Sequence, residues 1–301
     1  MSRKIELYEV GPRDGFQNQK KYIPAENKLK VIDAIVGAGV KNIQVTSFVS
    51  PKAIPQMIDS AEVARACLEK YPRLNIFALA PNLRGASNAY DCGIRTITYV
   101  VSLSKSHNKA NINRSHEQSM EEYLRIRESM PDMNIILDLA TTFGCPFEGK
   151  ASTGEVVDFI GTYVEEGLKE VDLCDTIGVA NPAQVREVIS AVKAAFPELA
   201  LQVHIHDTRN MGMVNTLAAI EAGVDKCQSA LGGLGGCPFA PGASGNLASE
   251  DLVYMLNDMG FDTGVDSDKL ILAAKTEFEL LGEGNFSGHL MKIEKSACTG
   301  L

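Results

Sequence analysis

The run Val203-His204-Ile205-His206-Asp207 sets two histidines two positions apart in an otherwise apolar stretch. On a β-strand, where side chains alternate between faces, that spacing turns both imidazoles to the same side. Paired imidazoles are a start toward a divalent cation, which takes neutral ring nitrogens as ligands. They need oxygen donors beside them. Two other stretches offer these: Glu9-Val10-Gly11-Pro12-Arg13-Asp14-Gly15-Phe16-Gln17, and the glycine-rich segment 232–246, which ends in Asn246. Asp14, His204, His206 and Asn246 would together supply two oxygens and two nitrogens. Such a mixed set, with water or substrate completing an octahedron, suits Mg2+ or Mn2+ better than structural zinc.

Only a fold that gathers distant segments at one rim can assemble those four residues. Hydrophobic periodicity and turn signals predict strands over 5–10, 41–47, 74–80, 94–102, 134–141, 170–174, 201–206 and 226–230. Between and after them, helices are predicted over 24–37, 55–69, 82–92, 116–130, 153–166, 182–196, 211–222 and 249–259. Gly39, Gly93, Gly167 and Gly223 stand where helices end and strands begin. A doubly wound open sheet carries the same alternation, but eight units in about 250 residues fit a closed α/β TIM barrel, (β/α)8, better. Residues 1–264 form the expected barrel domain. A short C-terminal helical extension, 265–301, includes an amphipathic helix over 268–281 that packs on the barrel or covers its mouth. In such a barrel the strand ends carry the active site, and here Arg13, Asp14, His204, His206 and Asn246 fall at strand ends or in the loops that follow.

Composition excludes several alternatives. A chain of 301 residues with 45% hydrophobic content can build a large core, and nothing in it suggests disorder. Its net charge of -9 and lack of a long basic run speak against nucleic acid as a partner. Seven cysteines, an odd number without a C-x-x-C pair, read as thiols in a reducing compartment. The start MSRKIELYEV lacks a signal-peptide core and no long apolar run follows, so a soluble cytoplasmic protein without a membrane partner is expected.

The stretches GPRDGFQN, SFVSPKAIPQM, GCPFEGK, CDTIGVANP, HIHDT and GLGGCPFAPGASGNLASEDLVYML resemble the 3-hydroxy-3-methylglutaryl-CoA lyases, members of the metal-dependent acyl-CoA lyase and synthase barrels. The resemblance runs from about residue 5 to 265, and the ending SACTGL is similar as well. RDG and His-x-His are shared with related condensing synthases and aldolases, whereas the glycine loop around Cys237 is specific to the lyases. The resemblance implies cleavage of a 3-hydroxyacyl-CoA thioester to acetyl-CoA and a keto acid, acetoacetate for the methylglutaryl substrate. It implies a homodimer too. A cation on the C3 oxygen and the carboxylate lowers the hydroxyl pKa, so a modest base suffices.

By that resemblance Arg13 stabilises the enolate oxygen with a fixed, permanently charged fork. Cys237, flanked by glycines, closes over the substrate and relays a proton to the acetyl-CoA carbanion. His204 ligates the metal, with a share in catalysis. Asp175 is either an acid near the metal or a carboxylate at a helix N-terminus. Glu9 and Glu250 are expected to hold Arg13 or Asn246, and Gln17 to bond a metal-bound water. After strand four, Lys105, Lys109 and Asn111 are candidates for the phosphates of coenzyme A, with a solvated loop as the plain alternative. His107, His116 and His289 lack such company and read as solvated.

Three departures bear on the substrate. Gln44 stands in IQVTSF where lyases usually carry glutamate, strand five reads Ile135-Ile136-Leu137-Asp138 without the arginine of some members, and Asp207-Thr208-Arg209-Asn210 replaces a tyrosine-glycine continuation. Pocket-lining polar groups decide which acyl chain is accepted. Citramalyl-CoA or a methylmalyl-type thioester therefore remain alternative substrates, followed by a condensing synthase or aldolase and then a non-catalytic barrel.

Overall fold

The computed structural model describes residues 2–236 and 245–294. In chain order its regular elements are β1 (Glu6–Glu9), α1 (Ala25–Gly37), β2 (Asn42–Ser47), α2 (Ser60–Lys70), β3 (Asn75–Leu79), α3 (Leu83–Asp91), β4 (Thr96–Ser102), α4 (Lys105–Ile112) and α5 (His116–Ser129). They continue as β5 (Asn134–Ala140), α6 (Thr153–Glu165), β6 (Glu170–Asp175), α7 (Pro182–Ala195), β7 (Ala200–Ile205), α8 (Gly212–Glu221), β8 (Lys226–Ser229), α9 (Ser249–Asp258) and α10 (Ser267–Leu281). Each strand pairs in parallel with the next, and β8 pairs with β1 through Glu6–Lys226 to Glu9–Ser229, so the sheet closes. The (β/α)8 expectation holds over the open-sheet alternative.

Local chemistry explains the boundaries. Ser115 with Gln118 and Ser152 with Glu155 form reciprocal capping boxes that start α5 and α6. Gly39, Gly93 and Gly223 turn out of their helices at φ 101°, 100° and 100°, a left-handed region that a side chain resists. The chain after β4, read from sequence as a loop, is instead the helix α4. Ser104 caps it by accepting from His107 N, and Asn113 ends it at φ 55°.

Strand alternation sorts the barrel into two environments. Tyr99, Leu137, Val171, Leu173 and Val203 are buried on the apolar parity, within the main hydrophobic core. The opposite parity carries Asp138, Asp172, Gln202, His204 and Gln228, equally buried but polar. Thus the barrel core is hydrophobic outside the sheet and hydrogen-bonded along the inside. Beyond α9, α10 packs against α1, α9 and the turn at Leu231–Gly233, burying Leu270, Ala273, Ala274 and Leu281. Each such leucine stabilises the packing by about 2 kcal/mol. Among the described residues no helix is long and apolar enough to cross a membrane.

Candidate active site and metal centre

β1 runs into a single turn of π-helix, Gly11–Gly15, in which every residue is buried. Gly11 is required there: a Cβ would lie 2.7 Å from Glu9 Oε1 and 3.1 Å from Leu231 N. The turn directs Arg13 and Asp14 into the mouth of the barrel. Across from them His204 leaves β7, and His206 stands just past the strand, its ring centroid 5.0 Å from that of His204. An isolated bridge pairs His206 with Asn246, and Asp207 N donates to Gly245 O at 2.8 Å. That bridge carries the returning chain, and Asn246 with it, to the histidines.

Asp14, His204 and His206 each present a ligand atom, all within 4.8 Å of one another and all buried. Asn246 Nδ2 donates to Asp14 Oδ2 at 2.8 Å and to Leu234 O at 3.1 Å, which leaves Asn246 Oδ1 without a partner. His206 Nδ1 is likewise buried and unpartnered. Buried polar atoms in native proteins are nearly always satisfied, so an orphaned imidazole nitrogen beside an orphaned amide oxygen and a carboxylate fits a divalent cation. The structure thus brings Asp14, His204 and His206 together, with Asn246 beside them through its hydrogen bond to Asp14.

A hydrogen-bonded chain sets the tautomer of His204. Lys226 pairs with Glu170, and Gln202 Nε2 donates to Glu170 Oε1 at 2.8 Å. Gln228 Nε2 donates to Gln202 Oε1 at 3.2 Å, which leaves Gln228 Oε1 to accept from His204 Nδ1 at 3.0 Å. Because Glu170 only accepts, each amide is oriented in turn, and His204 keeps its Nε2 lone pair for a cation. Sequence reading missed Gln202 and Gln228. Their signal was a polar residue recurring at inward positions of β7 and β8.

Electrostatics favour the ligand states. Burial would raise the Asp14 carboxyl, but Arg13, the two imidazoles and the Asn246 hydrogen bond outweigh it and hold it below its ordinary value. Burial keeps both imidazoles neutral, pushing His206 down to about 3. Arg13 donates through Nε to Gln44 Oε1 and through Nη1 to Asp14 Oδ1. Gln44 Nε2 in turn donates to Thr98 Oγ1 at 2.9 Å. An amide in place of the expected glutamate therefore bridges Arg13 to Thr98 rather than neutralising it.

A cavity of about 490 Å³ joins these groups, with Asp138, Asp172 and Cys174 on its wall beside Arg13, His204 and His206. Burial raises the Asp138 carboxyl to about 6 and, with the neighbouring Asp138 charge, holds the Asp172 carboxyl well above its ordinary value. Neither acid was singled out as functional from sequence.

Several expected roles need correction. Asp175 falls on the outward parity of β6, opposite to Asp172 and Cys174. Its oxygens accept from Val179 N at 2.9 Å and Ala180 N at 3.0 Å, so it braces the turn before α7 rather than lining the cavity. Glu9 contacts neither Arg13 nor Asn246: it accepts from Gly11 N, Leu231 N and Ser249 Oγ, tying the β1 and β8 loops together. Glu250 accepts from Gly232 N at 2.9 Å and does the same for the β8 turn. Gln17 Nε2 donates directly to Asp14 Oδ1 at 2.9 Å. Of the coenzyme A candidates, Asn111 lines the main cavity, Lys105 lines a neighbouring one, and Lys109 is exposed and reaches Asn113 O at 3.4 Å. His107 is buried against Ser102 Oγ at 2.7 Å and His116 is half-buried on Phe159, because α4 and α5 fold back over β4; only His289 is exposed. Cys237 lies outside the described residues.

The HMGL-like family profile matches residues 4–276. The chain belongs to the HMGL-like family. Within it, the hydroxymethylglutaryl-CoA lyase of Bacillus subtilis is 39% identical over 296 residues, covering 98% of this chain and 99% of that one. The human mitochondrial hydroxymethylglutaryl-CoA lyase is 39% identical over 300 residues, 99% of this chain and 91% of that one. The structure of an HMG-CoA lyase from Acinetobacter baumannii in complex with coenzyme A and 3-methylmalate superposes with a TM-score of 0.92 at 40% identity, over 99% of this chain and 97% of that one.

Proposed function

We propose that this HMGL-like chain is a divalent-metal-dependent carbon–carbon lyase. It cleaves 3-hydroxy-3-methylglutaryl-CoA, or a close 3-hydroxyacyl-CoA analogue, to acetyl-CoA and acetoacetate or the matching keto acid. The observation that carries the reading is the convergence of Asp14, His204, His206 and Asn246 beside Arg13 at the mouth of one cavity. Relatives named hydroxymethylglutaryl-CoA lyase along nearly the whole chain support it, and a relative's complex with coenzyme A supports an acyl-CoA substrate.

Mg2+ or Mn2+ fits the oxygen and nitrogen donors; when bound, such an ion supplies Lewis acidity that makes the substrate hydroxyl easier to deprotonate. The residues of the chain do the rest. Arg13, clamped by Gln44 and Asp14, keeps its Nη2 edge for the thioester oxygen as that oxygen gains charge on C–C cleavage. His204, fixed by Gln228 at Nδ1, would offer its Nε2 to such an ion. Cys237, assigned by resemblance, returns the proton to the acetyl-CoA carbanion. A cytoplasmic homodimer completes the proposal: the free state of Cys67, Cys92, Cys145, Cys174 and Cys227 accords with a reducing compartment, and the dimer follows the resemblance.

The test is a panel of 3-hydroxyacyl-CoA thioesters with Mg2+ or Mn2+, scored for acetyl-CoA release. Metal-dependent cleavage is expected. Net condensation of acetyl-CoA with a keto acid, without cleavage, would identify a synthase instead. Gln44, Asp138 and Asp172 favour a second reading within the family, cleavage of a thioester whose acyl branch differs from methyl.

A further inference from the structure

Asp138 on β5 and Asp172 on β6 are register partners, so their carboxyl groups lie side by side on the inward face of adjacent strands. Cys174 pairs with His204 and Asp172 with Gln202, which sets the two acids deeper in the barrel than the imidazoles. Both line the cavity, yet Asp138 is 5% and Asp172 1% exposed, and each has one oxygen, Oδ1, with no partner. Thr98 bonds the Asp138 carboxyl, and the Cys174 thiol, a weak donor, reaches Asp172 Oδ2 at 3.5 Å. Arg13 does not neutralise them by contact, because its bonds run to Gln44 and Asp14.

We infer that Asp138 and Asp172 form a specificity floor that hydrogen-bonds a hydroxyl on the acyl branch of the substrate. The inference rests on the lyase reading and deepens it. On the lyase reading, a cation held by Asp14, His204 and His206 would take the hydroxyl and the carboxymethyl arm of the reacting carbon, and Arg13 at the cavity mouth would take the thioester arm. The remaining branch is what reaches the floor. A methyl there would seal two unpaired carboxyl oxygens away from water, and a site built to bond a polar group rejects the analogue that lacks it. A neutral hydroxyl donates to one carboxyl and accepts from the other in its protonated form, so it pairs with both Oδ1 atoms without adding another charge to a buried site.

The test compares 3-hydroxy-3-methylglutaryl-CoA with its 3-hydroxymethyl counterpart on the intact protein with Mn2+, measuring both kcat/KM and Kd. The floor predicts a preference of at least about tenfold for the hydroxymethyl thioester in both quantities. In Asp138→Val/Asp172→Val the preference should reverse toward methyl, with Tm unchanged or raised, since removing unpaired buried carboxyls relieves an unmet cost. A wild-type preference for methyl overturns the floor whatever the variant does, and leaves the lyase reading standing. A hydroxymethyl preference in Kd without turnover of either thioester upholds the floor and overturns the lyase reading. An unchanged ratio in a folded double variant overturns the assignment to these two acids.

Discussion

Arg13 is already bound on two sides before any substrate arrives, by Gln44 at Nε and by Asp14 at Nη1. Its value lies in that rigidity: a guanidinium held at two donors keeps a third edge aimed, which a lysine ammonium cannot do. Arg13→Lys should therefore lower kcat by about 100- to 1,000-fold, the usual cost of losing one donor to a developing oxyanion, with a smaller change in KM. Steady-state acetyl-CoA release measures it, and an unaltered kcat would remove Arg13 from the reaction. Cys237→Ala should abolish nearly all turnover while Mn2+ affinity stays at the wild-type value; full activity in that variant would refute the proton relay. At this scale the sequence was most readable where chemistry needs a rare residue type, as with Asp14, His204 and His206. It misled where a carboxylate has two ordinary uses. Asp175 looked equally suited to the metal or to a helix start, and only the parity of β6 decides for the backbone of Val179 and Ala180.

Strands and helices act here as carriers of register. β6, β7 and β8 align Glu170, Gln202, Gln228 and His204 into one directed chain of hydrogen bonds. Gln228→Met keeps the volume and removes the acceptor, so His204 loses its fixed tautomer; Mn2+ affinity should fall about 10- to 100-fold, as for other residues that orient a ligand histidine. Retained affinity would show that the chain is only structural. The helix α4 carries a pH signature. Burial depresses the His107 imidazole from 6.5 to about 4. The unfolded chain then binds the proton more readily, so this stabilisation is complete above pH 6.5 and fades as pH falls toward about 4. His107→Gln should flatten the decline of Tm across that window relative to wild type. A parallel decline in the variant would mean other groups govern it. Neither the relay nor α4 was legible in the sequence. A glutamine in a strand names no partner until neighbouring strands fix the register, and the segment 105–112 has too little apolar periodicity to mark a helix.

The whole molecule is a closed parallel barrel whose loops collect residues from the first, seventh and eighth units at one rim. That architecture was legible because alternating elements with glycine-terminated helices leave few ways to bury every strand, and eight such units close on themselves. What composition could not reveal is that the inside of the barrel is a polar column, since a strand such as Asn134–Ala140 reads as apolar around its single Asp138. Because the cation site joins segments distant in sequence, ion binding should stabilise the fold globally. At about 100 times Kd, Mn2+ adds about 2.7 kcal/mol, and chelation should remove it as a several-degree drop in Tm. A Tm indifferent to chelation would argue against a site that ties those segments together. The most direct test of the central claim is Mn2+ binding to chelated protein, followed by electron paramagnetic resonance in wild type and Asp14→Asn. The account predicts one site per chain in the wild type and at least about a 100-fold loss of affinity in the variant, on the scale of removing a charged ligand. Equal affinity in the two proteins would contradict it.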